Sequence, residues 1–377
     1  MRALIQDNGF KLQSYDARNI PDDILLRWKC AVNSQSRKSY YHDYEYFKSY
    51  LDNLKKKKTP LEIFAASIDS RLFFLTPMNR VVRWFGCIPL HGLELPCHDH
   101  VPLCDIPVLD NYSKVDTLKM LIDYVSSKYK GKWDYLCFSC VAEESNLMEA
   151  LRGTSLRLKS AFKTESCSYF DCSRDFQYAV AGTSSHFRRD LNRKSRRLFN
   201  SGHVDVRFER NMPGLLDAYK RFLKLEASGW KGAHGTVSAI GLHKELRDFY
   251  EQLMHIYGEK DSCIISLMSL DGRDIAGQFC IISGETVYVK KIGYDQEFKH
   301  LSPGNLLLKS LIEWCCNDEQ LKYVNLITTQ PWVQPWKPKT QDVYKVYLFK
   351  RTFPWIWILF IEKTKKLIKK HILKKQV

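Results

Sequence analysis

No apolar run in this sequence approaches the roughly 18 residues that a membrane-spanning helix needs, and no segment is a low-complexity tract. The start, Met1 to Lys11, is mixed and polar and lacks the apolar stretch of a secretory signal. A cytoplasmic protein is the expectation. Acidic residues are the scarcer charge: 42 Asp and Glu stand against 58 Lys and Arg, for a net +16. With 45% hydrophobic and 27% charged residues, the chain is neither disordered nor collagen-like. Its 377 residues suit two or three domains, each able to bury a core.

The positive excess is concentrated in two places. Arg188 to Arg197 holds six basic residues against Asp190, and Lys345 to Val377 holds ten against Glu362. The rest of the chain is close to neutral. Basic surface suggests a polyanionic partner in general, so each patch needs its own explanation.

Twelve cysteines without a secretory signal read as thiols. Cys137-Phe-Ser-Cys140 has CxxC spacing but ends an apolar run that reads as a buried strand. Cys97-His98-Asp99-His100, with Cys104, could supply metal ligands. It lacks a second cluster at zinc-site spacing, so no metal is expected.

Element signals alternate along the chain. Leu61–Ile68, Arg71–Thr76 and Arg80–Leu90 read as strands, Asp116–Lys130 as a helix, Asp134–Ser139 as a strand and Glu144–Arg152 as a helix. Leu156–Lys163 and Ser166–Cys172 read as two further strands. The second half continues the alternation, with helix Ser184–Asn200, strand Val204–Glu209, and helices Met212–Ser228 and Leu242–Tyr257. Strands Ser262–Leu270, Ile275–Ser283 and Thr286–Gly293 follow, with Asp271-Gly272 as a hairpin turn. Helix Pro303–Asn317 and strand Tyr323–Thr328 close the pattern. The fold class is α/β with a mixed sheet and helices on its faces. The similar element order of the halves points to two related domains, 1–175 and 176–352, with a basic amphipathic tail over 353–377.

The most informative stretch is Thr286 to Thr328: strand, loop, Ser302-Pro303-Gly304, helix, strand. Ser302 suits the N-cap, where its hydroxyl can accept a backbone N–H. Pro303 suits the first helical position. Gly304 lets a ligand approach the backbone. Such a helix start after a strand is an anion site suited to phosphate; the plainer alternative is a well-capped helix.

Several stretches, in order, carry a resemblance: Phe187-Arg-Arg-Asp-Leu-Asn-Arg-Lys194, Leu225-Glu-Ala-Ser-Gly-Trp-Lys-Gly232, Ala276-Gly277-Gln278, Lys291-Ile-Gly-Tyr-Asp295 and the Ser302-Pro303-Gly304 helix. Together they resemble the GNAT acyltransferase superfamily, in its CelD-like branch associated with polysaccharide biosynthesis, related to Fem peptidyltransferases. The resemblance implies tandem GNAT-like acyl-CoA N-acyltransferase domains with the donor site in the second. It implies acetyl-CoA or another acyl-CoA as co-substrate, held by Ser302, Pro303, Gly304 and Asn305. The strand amides around Lys291, Ile292 and Gly293 would polarise the thioester carbonyl. Glu226 would be the base that deprotonates an acceptor amine, with Tyr288 and Tyr294 as acids for the departing thiolate. Arg188, Arg189, Arg193, Trp230, Lys231, Gln278 and Lys290 would meet the substrate, an amino sugar or glycolipid precursor. A Fem-like transferase using aminoacyl-tRNA, with RNA on the basic helix, is the second reading, and a non-catalytic scaffold at a membrane synthase the third. The tail, with Trp355-Ile-Trp-Ile-Leu-Phe-Ile361 followed by interleaved lysines, suits peripheral attachment to an anionic membrane surface. The alternative is a terminal helix packed on its domain.

Overall fold

The computed structural model describes residues 6–7, 10–35, 38–55, 59–101, 103–229 and 231–374, with side chains as far as Thr364. Trp230 and the lysines from Lys365 onward therefore lie outside the described side chains. The chain divides into two compact units. One takes Met1–Ser36, Lys56–Thr164 and Asp342–Val377; the other takes Arg37–Lys55 and Glu165–Gln341. The units are thus not consecutive in sequence, and residues 353–377 cluster with the first rather than standing apart.

In chain order the elements are β1 (Gln6–Asp7), β2 (Phe10–Asp16), α1 (Asp22–Asn33), α2 (Tyr44–Asn53), β3 (Leu61–Ile68), β4 (Arg71–Phe85), β5 (Ile88–Glu94), α3 (Lys114–Lys128), β6 (Tyr135–Ala142) and α4 (Asn146–Gly153). Then come β7 (Lys159–Asp171), α5 (Phe176–Ala179), α6 (Ser185–Asn200), β8 (Val204–Glu209), α7 (Met212–Ser228) and α8 (Lys244–Gly258). The chain ends with β9 (Cys263–Leu270), β10 (Arg273–Ser283), β11 (Thr286–Tyr294), α9 (Pro303–Cys316), β12 (Tyr323–Asn325), β13 (Lys339–Phe349) and α10 (Thr352–Lys374).

Each unit builds one pattern. In the first, β2, β3, β4 and β5 form an antiparallel meander, α3 crosses over, and β6 returns parallel to β5. In the second, β8, β9, β10 and β11 form the meander, α9 crosses over, and β12 returns parallel to β11. An antiparallel strand stands beside the returning strand in each unit, β13 beside β6 and β7 beside β12, and in the first unit the short β1 also pairs with β2. The first unit takes that strand from the end of the chain; the second takes it from the segment preceding its meander. This repeat is invisible as sequence similarity, because packing constrains the order and apolar faces of elements more than residue identities.

Three strand expectations are corrected. Arg71–Thr76 and Arg80–Leu90 are not separate strands; β4 runs through Pro77, and the turn falls at Gly86-Cys87, where Gly86 has φ +63°. Leu156–Lys163 and Ser166–Cys172 are a single strand, β7. The strand expected over Tyr323–Thr328 is β12 and stops at Asn325, whose side chain accepts the Ile327 N–H and turns the chain.

In the second unit α9 lies on the sheet and is buried along Leu307, Leu308, Leu311 and Ile312, against Val287 and Val289 of β11. Leu191 and Leu198 bring α6 into the same core. Helices α7 and α8 belong to the other side, with Phe222, Phe249, Tyr250 and Leu253 fully buried.

Candidate active site

The site grows from β11. This strand pairs with β10 over its length but with β12 only through Thr286, Val287 and Tyr288. From Val289 to Tyr294 its other edge has no strand partner among the described residues, since pairing with β12 ends at Tyr288. The register skips between Phe279 and Cys280: Phe279 faces Lys291 and Cys280 faces Val289, leaving Lys290 as an extra residue. A bulge of this kind leaves a residue outside the ladder and upsets the in–out alternation. Lys290 and Lys291 accordingly reach the same aromatic neighbourhood. The Lys290 ammonium donates to the phenol oxygens of Tyr46 at 2.9 Å and Tyr40 at 3.2 Å. The Lys291 ammonium lies 5.9 Å from the centroid of the Tyr250 ring. Tyr288 packs edge-on against Tyr40 at 4.8 Å. Burial raises the pKa of Tyr288, as it does those of Tyr40 and Tyr250, so all three stay protonated phenols.

Helix α7 crosses this strand closely. Gly277 and Gly293 are direct cross-strand partners. A Cβ on Gly293 would sit 3.0 Å from the Glu226 Cα, and one on Gly277 would sit 2.9 Å from Phe222 Cδ2. The missing side chains let the helix approach. Glu226 is 1% exposed over this notch. One of its carboxylate oxygens accepts from Lys231 Nζ at 3.1 Å, the other from the Ile240 backbone N–H at 2.9 Å. Lys231 also donates to the Ile292 carbonyl at 2.7 Å. The pair therefore ties α7, β11 and the Ile240–Leu242 turn together. The Glu226 carboxylate and the Lys231 ammonium are thus held by protein partners, where the resemblance implies a base and a substrate contact.

At the far end of the loop, Ser302 adopts φ +53° and its side chain does not cap α9. Its hydroxyl instead accepts from the Lys194 ammonium at 2.9 Å, while Asp190 pairs with the same ammonium. The capping expectation is corrected by this competition: a charged donor makes the stronger bond. Pro303 occupies the first turn as expected. A Cβ on Gly304 would meet only Tyr294 Cδ1, at 3.8 Å, so the backbone there opens to space. The Asn305 N–H donates to the Ser302 carbonyl, and its side-chain oxygen accepts from Trp336 Nε1 at 2.8 Å. The helix start thus offers backbone dipoles, no capping side chain and an ammonium one residue away.

The remaining expected residues lie as follows. Arg188, Arg189 and Arg193 are exposed on α6, Arg193 paired with Asp190. Gln278 is 2% exposed and accepts from the Ser266 hydroxyl at 3.2 Å, a buried pair rather than a substrate contact. Among the described residues no group of three His, Cys, Asp or Glu could hold a metal ion. Sequence reasoning missed Lys194, Tyr40, Tyr46 and Trp336. Lys194 stood inside the basic run, and Tyr40 and Tyr46 in a tyrosine-rich stretch. Nothing local showed that either would reach residues so distant in sequence.

Residues 185–338 match the family model described as acetyltransferase (GNAT) domain. No curated protein sequence matches the chain. Three solved structures share its architecture. A conserved protein of unknown function from Bacteroides thetaiotaomicron gives a TM-score of 0.55 at 16% identity, covering 86% of this chain and 97% of its own. FemX gives 0.55 at 9% identity, covering 89% and 97%. The C-terminal domain of a protein from Agrobacterium fabrum, assigned as a lysylphosphatidylglycerol synthetase, gives 0.52 at 9% identity, covering 90% and 94%. At these identities the likeness is one of fold. The matched stretch supports an acyltransferase, with the likeness to a GNAT acetyltransferase domain confined to residues 185–338, in a mixed α/β fold whose two units repeat one topology.

Proposed function

We propose that the second unit transfers an acyl group, in the first instance acetyl, from an acyl-CoA thioester to an amine. One observation carries this reading: α9 starts without a side-chain cap, with open space over Gly304 and the Lys194 ammonium at Ser302. That arrangement suits a pyrophosphate. The edge of β11 beyond Tyr288 supplies backbone groups where pairing with β12 has ended, and the bulge at Lys290 frees one from the ladder. These are the donors a thioester carbonyl needs as charge develops on its oxygen. Tyr294, in contact distance of Gly304, is the candidate acid for the departing thiolate, and Tyr288 lines the deeper aromatic side. Lys290, with Tyr40 and Tyr46, faces the acceptor.

We assign Glu226 a positioning role instead of the base role. Each oxygen already accepts a protein hydrogen bond and the residue is 1% exposed, so an incoming ammonium has little access to it. Through Lys231 it fixes the Ile292 carbonyl and the line of β11; the amine proton then passes to water. The acceptor class, an amino sugar or glycolipid precursor of the CelD-like type, rests on the sequence resemblance.

The exposed arginines of α6 favour one rival, aminoacyl transfer from tRNA. Calorimetric titration with acetyl-CoA and, separately, with tRNA decides. The expected result is about micromolar binding of one acetyl-CoA per chain, weakened at least tenfold by Gly304→Val with unchanged circular dichroism. Binding of tRNA without acetyl-CoA would replace this reading by the Fem-like one. Binding of neither would leave a scaffold.

A further inference from the structure

Two cysteine motifs that the sequence treats separately meet in the first unit. Cys97 follows β5 and Cys140 lies in β6, and their sulfurs stand 3.2 Å apart. Both are thiols. The backbone explains the approach. Strand β6 pairs with β13 until the register skips between Tyr344 and Val346, where Ser139 and Cys140 together oppose Lys345. Within that bulge Cys140 has φ +60°, a left-handed conformation uncommon for a residue with a side chain. Its carbonyl is held by the Cys104 N–H at 2.9 Å, and Leu95 N–H is bonded to the Cys137 carbonyl at 2.8 Å. Both sulfurs are therefore presented from anchored backbone, at the point where β5 and β6 diverge after the Glu94–Cys137 pair. Cys97 is exposed and lines a cavity of about 390 Å³ together with Ser139, Lys345 and Tyr347.

We propose that Cys97 and Cys140 form a redox-modification site that takes low-molecular-weight disulfides as substrate. The Cys97 thiolate attacks one sulfur of the disulfide RSSR, forming a Cys97–SR bond and expelling RS⁻. The Cys140 thiolate then attacks Cys97 Sγ, forming the Cys97–Cys140 bond and expelling the second RS⁻. The two protons lost by the cysteines appear on two RSH, so the protein dithiol is oxidised and RSSR reduced. An S–S bond is about 2.0 Å long, so closure asks for about an ångström of movement. The neighbouring thiols are poor competitors. Cys137 is buried, which pushes its pKa up to about 12. Cys104 is buried too and donates to the Pro96 carbonyl. Closure would pin the segment after β5 to β6 and fix one wall of the cavity.

The test uses the full chain with oxidised glutathione, followed by alkylation under denaturing conditions and peptide mass spectrometry. The expected product is a peptide linking Cys97 to Cys140, lost on treatment with dithiothreitol. Cys140→Ser should stop the reaction at glutathione on Cys97. Cys30 and Cys87, also exposed, serve as internal controls. Glutathione on Cys97 in the unaltered chain without the linked peptide would overturn the proposal. So would alkylation of both Cys97 and Cys140 under conditions that modify Cys30 and Cys87. The readout is independent of acyl transfer.

Discussion

At Gly293 an added methyl would lie 3.0 Å from the Cα and 3.3 Å from the backbone nitrogen of Glu226. Backbone cannot swing aside, so α7 must shift. Gly293→Ala should therefore cost about 1–3 kcal/mol, as overpacking does, read as a lower urea midpoint. At Gly304 the same methyl meets one ring carbon at ordinary contact distance. Gly304→Ala should leave stability within about 0.5 kcal/mol while weakening acetyl-CoA. The pair of substitutions separates a glycine needed for packing from one needed for a ligand. Glu226 gives a second residue-scale test. A base and a positioning residue both lose rate on substitution, but only a base sets the acidic limb of the pH–rate profile. Glu226→Gln keeps one acceptor for Lys231 or Ile240 and removes the charge. The expected outcome is a lower kcat with that limb in place; loss of the limb would restore the base role.

At the scale of elements, the segment 38–55 shows how an insertion far away in sequence becomes part of a site. It brings Tyr40 and Tyr46 to Lys290, and it carries two neighbouring groups with opposed titrations. Burial lowers His42 from 6.5 to about 3. Burial raises Asp43 from 3.8 to about 6, opposed by the Tyr257 hydroxyl and by Lys260 and Lys38, and assisted by Glu45. The stability from Asp43 is complete below pH 3.8 and is lost as pH rises through about 6. The stability from His42 is complete above pH 6.5 and is lost as pH falls toward about 3. Between these limits the folded chain holds its proton on Asp43 and the unfolded chain on His42, so the two slopes cancel. Asp43→Asn should expose His42: relative to the unaltered chain, unfolding free energy should fall by about 1.4 kcal/mol per unit as pH drops from about 6 to about 4. His42→Gln should tilt the difference the other way. Urea unfolding at several pH values measures both.

The same scale shows what could be read from the sequence. Strands β3 and β8 and helix α7 end where periodicity and turn residues put them, because their signals are local. The Ser302-Pro303-Gly304 helix start was legible for the same reason. The partner of the Ser302 hydroxyl was not, since Lys194 arrives from α6 through tertiary packing. The bulge at Lys290 has no signature in a strand rich in β-branched and aromatic residues; only pairing with β10 creates it. The break expected between Thr76 and Arg80 does not occur, since Pro77 lies within the ladder between β3 and β4.

Over the whole molecule, one topology is used twice with different chemistry. The crossover helix of the first unit, α3, is capped by its own Ser113 side chain and carries Asp116 in its first turn. That start is closed to an anion, whereas the start of α9 is open. The first unit offers a different surface. Its α10 packs inward through Ile358, 0% exposed, while Trp357 Nε1 donates to the Phe85 carbonyl and Trp355 Nε1 to the Ser160 hydroxyl. Its opposite side shows Phe353, Ile356 and Phe360, 57–60% exposed. These follow helical spacing, and the sequence beyond them is rich in lysine. We propose that this side contacts anionic lipid, with apolar burial and lysine attraction acting together. Among the described residues no helix is long and apolar enough to cross a membrane. Deleting the helix would uncover the core around Ile358, so a surface substitution is the sound probe. The triple change Phe353→Ser, Ile356→Ser and Phe360→Ser should abolish co-sedimentation with vesicles containing phosphatidylglycerol while leaving acetyl-CoA binding unchanged. Unaltered protein should pellet with those vesicles, release them at high salt, and ignore vesicles of phosphatidylcholine alone. Equal pelleting of the triple variant would remove α10 from the contact, and a change in oligomeric state on substitution would show that a second copy covers this face.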